Sequence, residues 1–588
     1  MYYLKIFVKT FLSLFAIMRI TGMSTKNPWS LILFLILLYV FTKLHSDQVE
    51  SHIISGDMTL SVLTSVLFSI FTISATYQII LGDMTSVLFC TSILLLTGIG
   101  LFIVYYYLTI WFLQAASSIT LIGSGYSYAW IPYLAAFICI LCWLPYFLYE
   151  YPGVMTPDSI NQYAQIIGAY QLNNHHSIVH TALIGMFYNI GVSVTGNAHT
   201  GLALYTIAQM IFMALAAGYV IRTLQKADII MPVVLLTIGF YALMPYNGAY
   251  AVTIWKDIPF AGCMTIFAAA LMRFLVRGSF ATSSDTVPKL QISEYFTLLI
   301  PYVLSGTLLC LLRTNGWYVF VISIPFILIA YRKWLKVILP VHLTILALVL
   351  FVKYPVMHVY EIPQTDFVES LSIPVQQIAR VIAEGESITE SEAVYIQQLM
   401  DLDKIPTAYQ PACSDNIKNL IRQKGNASLE SDKATFFKMW FSIGIEHPKT
   451  YFDAYVAQTN GYWYPDVDYE VGLADGIYAN EFGLSWQPII RGNIIIKIKE
   501  LLFKLPKIIP LYGLLWSMGF LLWLILLLTA LSLRMGKPAS ALVCLPFLLL
   551  IITLCIAAPV ATEFRYIYAA FYALPLLIVS PFVYESNR

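Results

Sequence analysis

Charge is scarce in this chain. Of its 588 residues only 11% are Asp, Glu, Lys or Arg, against about 25% in a soluble domain. The 33 Lys and Arg nearly cancel the 32 Asp and Glu, leaving a net charge of +1. With no basic stripe along the chain, there is no electrostatic case for nucleic acid as a partner, nor for holding an anionic membrane surface by charge. Paired thiols are lacking too. Seven of the eight cysteines (Cys90, Cys139, Cys142, Cys263, Cys310, Cys544 and Cys555) lie in apolar segments, where a thiol behaves as a small hydrophobe. Cys413 alone lies in a polar region, so no disulfide can form inside that region. No CxxC pair or Cys/His cluster has metal-ligand spacing. A Walker loop, a dinucleotide fingerprint, an HExxH and a GxSxG in convincing context are all missing, as are internal repeats of the transporter type. The start, MYYLKIFVKTFLSLFAIMRI, is followed by no small-residue cleavage site. It reads as a marginal first span or an interfacial helix, not a removed signal.

Apolar residues make up 59% of the chain, which is the composition of an integral membrane protein. A span takes about 20 apolar residues. Candidates fall near 29–45, 59–81, 86–113, 128–149, 200–221, 229–247, 258–277, 294–312, 316–331, 335–352, 508–533, 539–558 and 566–583, and residues 1–20 would make a fourteenth. The expected fold is an all-α polytopic membrane protein with 13–14 transmembrane helices. One polar stretch, residues 354–505, has the charge density of a soluble domain. Its segments ESITESEAVYIQQLMDL and SDKATFFKMWFSIGIEHPKTYFDAYVAQTNGYW space their apolar residues helically. The expected division is 1–127, N-terminal membrane helices; 128–353, a membrane core with its first outer loop at 150–198; 354–505, a mainly helical soluble domain; and 506–588, C-terminal membrane helices.

Lys and Arg cluster in short loops at Arg222/Lys226, Arg273/Arg277, Arg332/Lys333/Lys336 and Arg534/Lys537. If these are cytoplasmic, the alternate loops and residues 354–505 face outward. The count closes only if HSIVHTALIGMFYNIGVSV lies along the outer surface instead of crossing. Every unusual polar cluster then falls on one face: Asp158, the His175/His176 pair, Trp255-Lys256-Asp257, Arg313 in RTNGW and Arg565 in EFRY.

Each cluster has two readings. Asp158, or Ser159 in an S-x-x-Q capping box with Gln162, reads as the N-cap of a short helix after Pro157. A capping carboxylate also has a fixed direction and a lowered pKa, which suit an ionised base. His175 and His176 suit a headgroup boundary, or metal binding, phosphate orientation or proton shuttling. Lys256 and Asp257 form a structural ion pair or face a cavity. Arg313 and Arg565 bind phosphate, or pair with Glu563 or Asp257. The sequon Asn426-Ala-Ser428 is a pattern that recurs by chance.

A multi-span chain whose first large outer loop carries an acid soon after a span resembles the GT-C membrane glycosyltransferases. The stretches that carry the resemblance are MTPDSINQYAQ and then NNHHSIVHTALIGMFYNIGVSVTGNAHTGLALY. WKDIPFAG, RTNGWYVF, SLSIPVQQIARV, HPKTYFDAYVAQTNGYWYP and EFRYIYAAF look like features of a poorly characterised bacterial branch, over roughly residues 128–583. The resemblance implies a GT-C-like core with Asp158 as catalytic base and 177–193 as a surface helix. Two departures stand out. HHS replaces the H-P-P-like start, so no role carries over to the histidines, and residues 1–127 have no counterpart in the core.

The expected function is transfer of a sugar from a polyprenyl-phosphate donor to an extracytoplasmic glycan, teichoic acid, lipid or protein, with inversion. Asp158 takes the proton of the acceptor hydroxyl, and cations hold the departing phosphate. Gln162, His175, His176, Lys256, Asp257, Arg313 and Arg565 are the candidate substrate-binding residues. A divalent cation between Asp158 and a second carboxylate is compatible with these residues, although no spacing argues for it. The expected location is the plasma membrane, multi-pass, with residues 354–505 extracytoplasmic. A transporter or flippase of a lipid-linked substrate is the alternative, and a scaffold binding cell-wall polymers is a third reading.

Overall fold

In a computed structural model of the chain, every residue is described except 1, 47–54, 124–126, 280–291, 468–474, 558–559, 561–562 and 584–588. The protein is an all-α polytopic membrane protein. Eight described helices are long and apolar enough to cross a membrane, or nine if one bent pair counts as a span. Helices satisfy their own backbone hydrogen bonds, which lipid cannot do for them. Four further expected spans are shorter apolar helices, Trp29–Leu44, Thr314–Ala330, Met518–Arg534 and Leu545–Ile556. The bent pair is Met231–Leu243 with Pro245–Ala251, turned by 51°. Pro245 opens its second member, where a missing N–H does no harm.

The stretch 566–583 corrects the expectation of a single span. It breaks into Tyr568–Tyr572, Leu574–Val579 and the 3-10 turn Ser580–Phe582. Its residues from Ile567 to Leu577 are almost wholly buried by protein. An apolar run reports burial, and cannot tell lipid from a packed interior.

The chain divides into two compact units, Met1–Thr120 with Leu522–Lys537, and Leu121–Leu521 with Pro538–Arg588. In the first, the Tyr2–Ile20 helix buries Ile6, Thr10, Ser13 and Ala16, the i, i+3/i+4 spacing of one helical face. Gly100 of the Val87–Ser117 helix lets that face approach, because a Cβ there would overlap the Leu12 carbonyl. Trp523 stacks on Phe68 with ring centroids 4.1 Å apart.

The second unit holds the remaining candidate spans and the polar stretch 354–505, which the structure keeps with the membrane helices. That stretch is helical as expected. Ser372–Ala383, Glu390–Leu399, Asp415–Lys424 and Lys433–Glu446 bury Val375, Ile378, Leu399, Ile417 and Phe436 between them. Thr389 and Glu392 close a capping box at the start of Glu390–Leu399.

The expectation that 177–193 lies along the surface is not borne out by composition or packing: the Ile178–Thr195 helix meets the length and apolarity needed to cross a membrane, and it packs along its neighbour. His180 bonds Tyr205 of the Ala198–Lys226 helix, and Gly191 lies against Gly201. Phe187 meets the Tyr205 ring as well, so four residues of one helix match four of the other and the two run side by side as antiparallel neighbours.

Candidate functional site

Three distant extended segments build the frame. The Val154 amide donates to the Val252 carbonyl (3.0 Å) and the Ile254 amide to the Val154 carbonyl (2.9 Å). On the other side the Met155 amide donates to the Gly476 carbonyl (2.9 Å) and the Tyr478 amide to the Met155 carbonyl (3.0 Å). Residues 154–155 are therefore clamped between 252–254 and 476–478, so the chain leaving them has a fixed direction. It enters the Pro157–Ile166 helix with Pro157 at its first position, where the ring's φ suits a helix and no donor is lost.

The capping expectation is corrected here. The N-cap is Thr156, which makes no side-chain capping bond. Ser159 Oγ donates instead to the Ile254 carbonyl at 2.5 Å, tying the helix to the Trp255–Asp257 segment. Asp158 sits in the first turn, where the helix dipole favours its negative charge. Asp257 holds the equivalent place at the start of the Asp257–Ser279 helix.

The carboxylates and cations interlock. Arg565 donates to Asp158 Oδ2 at 2.9 Å and pairs with Glu563. Arg313 pairs with Asp257, both nearly inaccessible. The guanidinium of Arg313 lies 4.8 Å from the centre of the Tyr566 ring and that of Arg565 5.0 Å from it, so one ring joins the two pairs. Trp255 covers Arg565 at 4.8 Å and is fixed by donating to Thr156 Oγ1 at 2.8 Å. The arginines are thus engaged by acids, as in the pairing alternative raised by the sequence. No hydrogen bond or ion pair engages the Lys256 side chain among the described residues.

Burial works against charge throughout the cluster. For Asp158 it is outweighed by Arg565, with help from His176 and Lys256, and the carboxyl stays below its ordinary value. Glu563 goes the other way: burial lifts it, with Arg565 opposing and Asp158 adding to the rise. Burial lowers Lys256 against the pull of Asp257 and Asp158. His176 is lowered by burial and by the Lys256 charge, and its buried Nδ1 has no hydrogen-bond partner among the described residues. Its ring meets that of His175 edge-on at 4.7 Å.

Seven of the eight residues singled out in the sequence belong to this neighbourhood. Gln162 faces elsewhere. Its amide donates to Thr181 Oγ1 (2.9 Å) and its oxygen meets His180 Nδ1 (2.9 Å). The His180 ring reaches Tyr205 (2.7 Å), Tyr205 donates to Gln209 (3.1 Å), and Gln209 donates to the carbonyls of Ala251 and Thr253. This buried chain holds the 251–254 segment that aims Lys256 and Asp257.

A cavity of about 930 Å³ lies against Asp158, Trp255, Glu563 and Arg565. Its remaining wall includes Tyr146, Tyr250, Ile495, Ile498 and Leu502. A second ionic group missed in the sequence also lines it. Glu150, 3% exposed, accepts from Lys499 at 2.8 Å and from the Gly476 amide at 2.7 Å, and Lys499 also pairs with Asp475. An acid closing the apolar run ending in LPYFLYE was the available signal. Among the described residues no group of three or more His, Cys, Asp or Glu is placed to hold a metal ion.

The profile of a family of unknown function, DUF6020, matches residues 160–588. No curated protein and no solved structure matches the chain.

Proposed function

The chain belongs to the DUF6020 family, and we propose that it is a membrane glycosyltransferase moving a sugar from a polyprenyl-phosphate donor to an extracytoplasmic acceptor. The observation that carries this reading is the Asp158–Arg565 pair on the wall of a cavity that also holds aromatic and aliphatic side chains and the Glu150–Lys499 pair. An ionised carboxylate beside a cation is the pairing an inverting transfer needs. The acceptor hydroxyl attacks the anomeric carbon, the bond from that carbon to the phosphate oxygen breaks, and the hydroxyl proton passes to Asp158. Arg565 turns from Asp158 to the leaving phosphate, which frees the carboxylate as negative charge grows beside the guanidinium. Lys256, which has no ion-pair partner among the described residues, adds positive potential behind the pair. In this reading the site and residues 354–505 face the outside of the plasma membrane.

Transport of a lipid-linked substrate is the second reading, and one observation favours it. The bent helix pair ends beside the cavity, which Ala249 and Tyr250 line, and broken helices are a transporter feature.

The test is transfer from labelled polyprenyl-phosphate sugars by the purified protein in proteoliposomes. Asp158→Asn keeps the shape and removes the base, and transfer is expected to fall at least about 100-fold. Undiminished transfer by the folded variant refutes the role of Asp158. Movement of intact donor between leaflets without bond cleavage establishes the transport reading.

A further inference from the structure

The Asn493–Ile508 helix, NIIIKIKELLFKLPKI, buries none of its residues. At 100° per residue, Ile494, Ile495, Ile498, Leu501, Leu502 and Ile508 fall on one broad face, while Lys497, Glu500, Lys504 and Lys507 fall on the opposite one. Such a helix rests in a membrane interface with its apolar side in lipid. A narrow third side attaches it to the protein, through Lys499 on Glu150 and through Phe503 against the rings of Tyr246 and Trp516.

The apolar face does two things at once. Ile495, Ile498 and Leu502 form cavity wall, whereas Ile494, Leu501 and Ile508, seven residues apart, are 75%, 53% and 66% exposed. Ile498 belongs to both sets, lining the cavity while 53% exposed. The lining of the cavity is therefore continuous with a surface suited only to lipid. The volume argues the same way, since about 930 Å³ is the size of a pocket for a drug-sized ligand. A phosphorylated head group and the first part of a chain fill it, and a long chain must leave through the wall.

We propose that the Asn493–Ile508 helix forms a lateral opening of the cavity and that its Ile495, Ile498 and Leu502 face binds the isoprenoid chain of a lipid phosphate. The chain lies between this helix and the end of Ile131–Glu150, where Tyr146 and Tyr149 face it, and the phosphate lies toward Arg565. The Glu150–Lys499 pair holds the helix against the opening. This rests on the glycosyltransfer reading only for the choice of an isoprenoid over another long chain.

The test is photocrosslinking in proteoliposomes of the full chain carrying Ile498→p-benzoylphenylalanine, with Leu236→p-benzoylphenylalanine, at a 74% exposed position, as the bulk-lipid control. Radiolabelled long-chain isoprenyl phosphate without sugar is expected to label position 498. An excess of the unlabelled compound should suppress that labelling about tenfold and leave the control unchanged. An equal excess of a saturated phosphatidic acid should not compete. Labelling at 498 that is no more suppressible than the control overturns the proposal, and competition by phosphatidic acid overturns the isoprenoid assignment. Ile498→Asp gives a second measurement, with the affinity for long-chain isoprenyl phosphate expected to fall about tenfold; unchanged affinity overturns the proposal. Specific labelling in a protein that transfers no sugar sinks glycosyltransfer and leaves the chain site standing, and transfer without specific labelling does the reverse.

Discussion

Replacing Arg565 by methionine tests the centre of the site most directly. Arg565 holds Asp158 at 2.9 Å and pairs with Glu563, and Arg565→Met keeps much of the volume while leaving both acids without it. Breaking a fully buried pair costs about 3–5 kcal/mol, and an exposed one contributes about 0.2–1 kcal/mol. Here the guanidinium is 12% exposed and the Asp158 side chain 36%, so screening discounts the buried figure. We expect a coupling of about 2 kcal/mol between Arg565→Met and Asp158→Asn in a double-mutant cycle. The same number fixes a pH shift. Burial raises the Asp158 carboxyl, but Arg565 and its neighbours outweigh it and hold the group at about 2. The folded value lies below the unfolded value of about 3.9, so this stabilisation is complete above the unfolded value and is lost as pH falls toward 2. Losing about 2 kcal/mol moves the carboxyl up by about 1.5 pH units. The acid limb of transfer, out of reach in the parent protein, should then move up in pH by that amount. Thermal unfolding of the four proteins of the cycle, followed by tryptophan fluorescence, gives the coupling, and rates between pH 3.5 and 7 give the limb. A coupling below about 0.5 kcal/mol, the scatter of independent sites, would falsify the pairing argument.

Two other substitutions separate support from chemistry. Gln162→Leu leaves His180 Nδ1 and Thr181 without their partner and should cost about 1–3 kcal/mol of stability. Isoprenyl-phosphate affinity, measured by the same competition, should fall only a few-fold, because Gln162 reaches the site through the 251–254 segment and touches no cavity wall. Gly425→Ala would press a Cβ against the Leu399 backbone, 2.6 Å from its carbonyl oxygen. That overlap is expected to destabilise the helices of the 354–505 stretch by about 1–3 kcal/mol, read as faster hydrogen exchange across Glu390–Leu399.

What the sequence disclosed followed from local signals. Arg313 and Arg565 interrupt apolar runs, and that irregularity was enough to bring both to the site. The pairing of Asp158 with Arg565 was not readable, because 407 residues separate them and no periodicity reaches that far. Gln162 shows the opposite failure. Its S-x-x-Q spacing suggested a cap, but tertiary partners outbid the local one: Ser159 found the Ile254 carbonyl and Gln162 found His180. Residues 566–583 were apolar enough for a span, and only packing reveals that protein surrounds them. Glu150 escaped because one acid at the end of an apolar run resembles any helix terminus, until Lys499 is found beside it.

The separation of Asp158 from Arg565 also has a meaning in time. A ribosome adds about 5–20 residues per second, so the 407 residues between them take roughly 20–80 s to synthesise. Throughout that interval the acid stands at the start of its short helix while its counter-ion does not yet exist. The Val154 and Ile254 clamp can form within the first half of the chain, and the Gly476 segment closes it later. The Asp158–Arg565 pair closes last, after nearly all the helices have been made, whereas Asp257 can meet Arg313 much earlier. A chain arrested before Arg565 would therefore carry a positioned but uncompensated acid, a recognisable mark of an unfinished molecule for the quality control of its membrane.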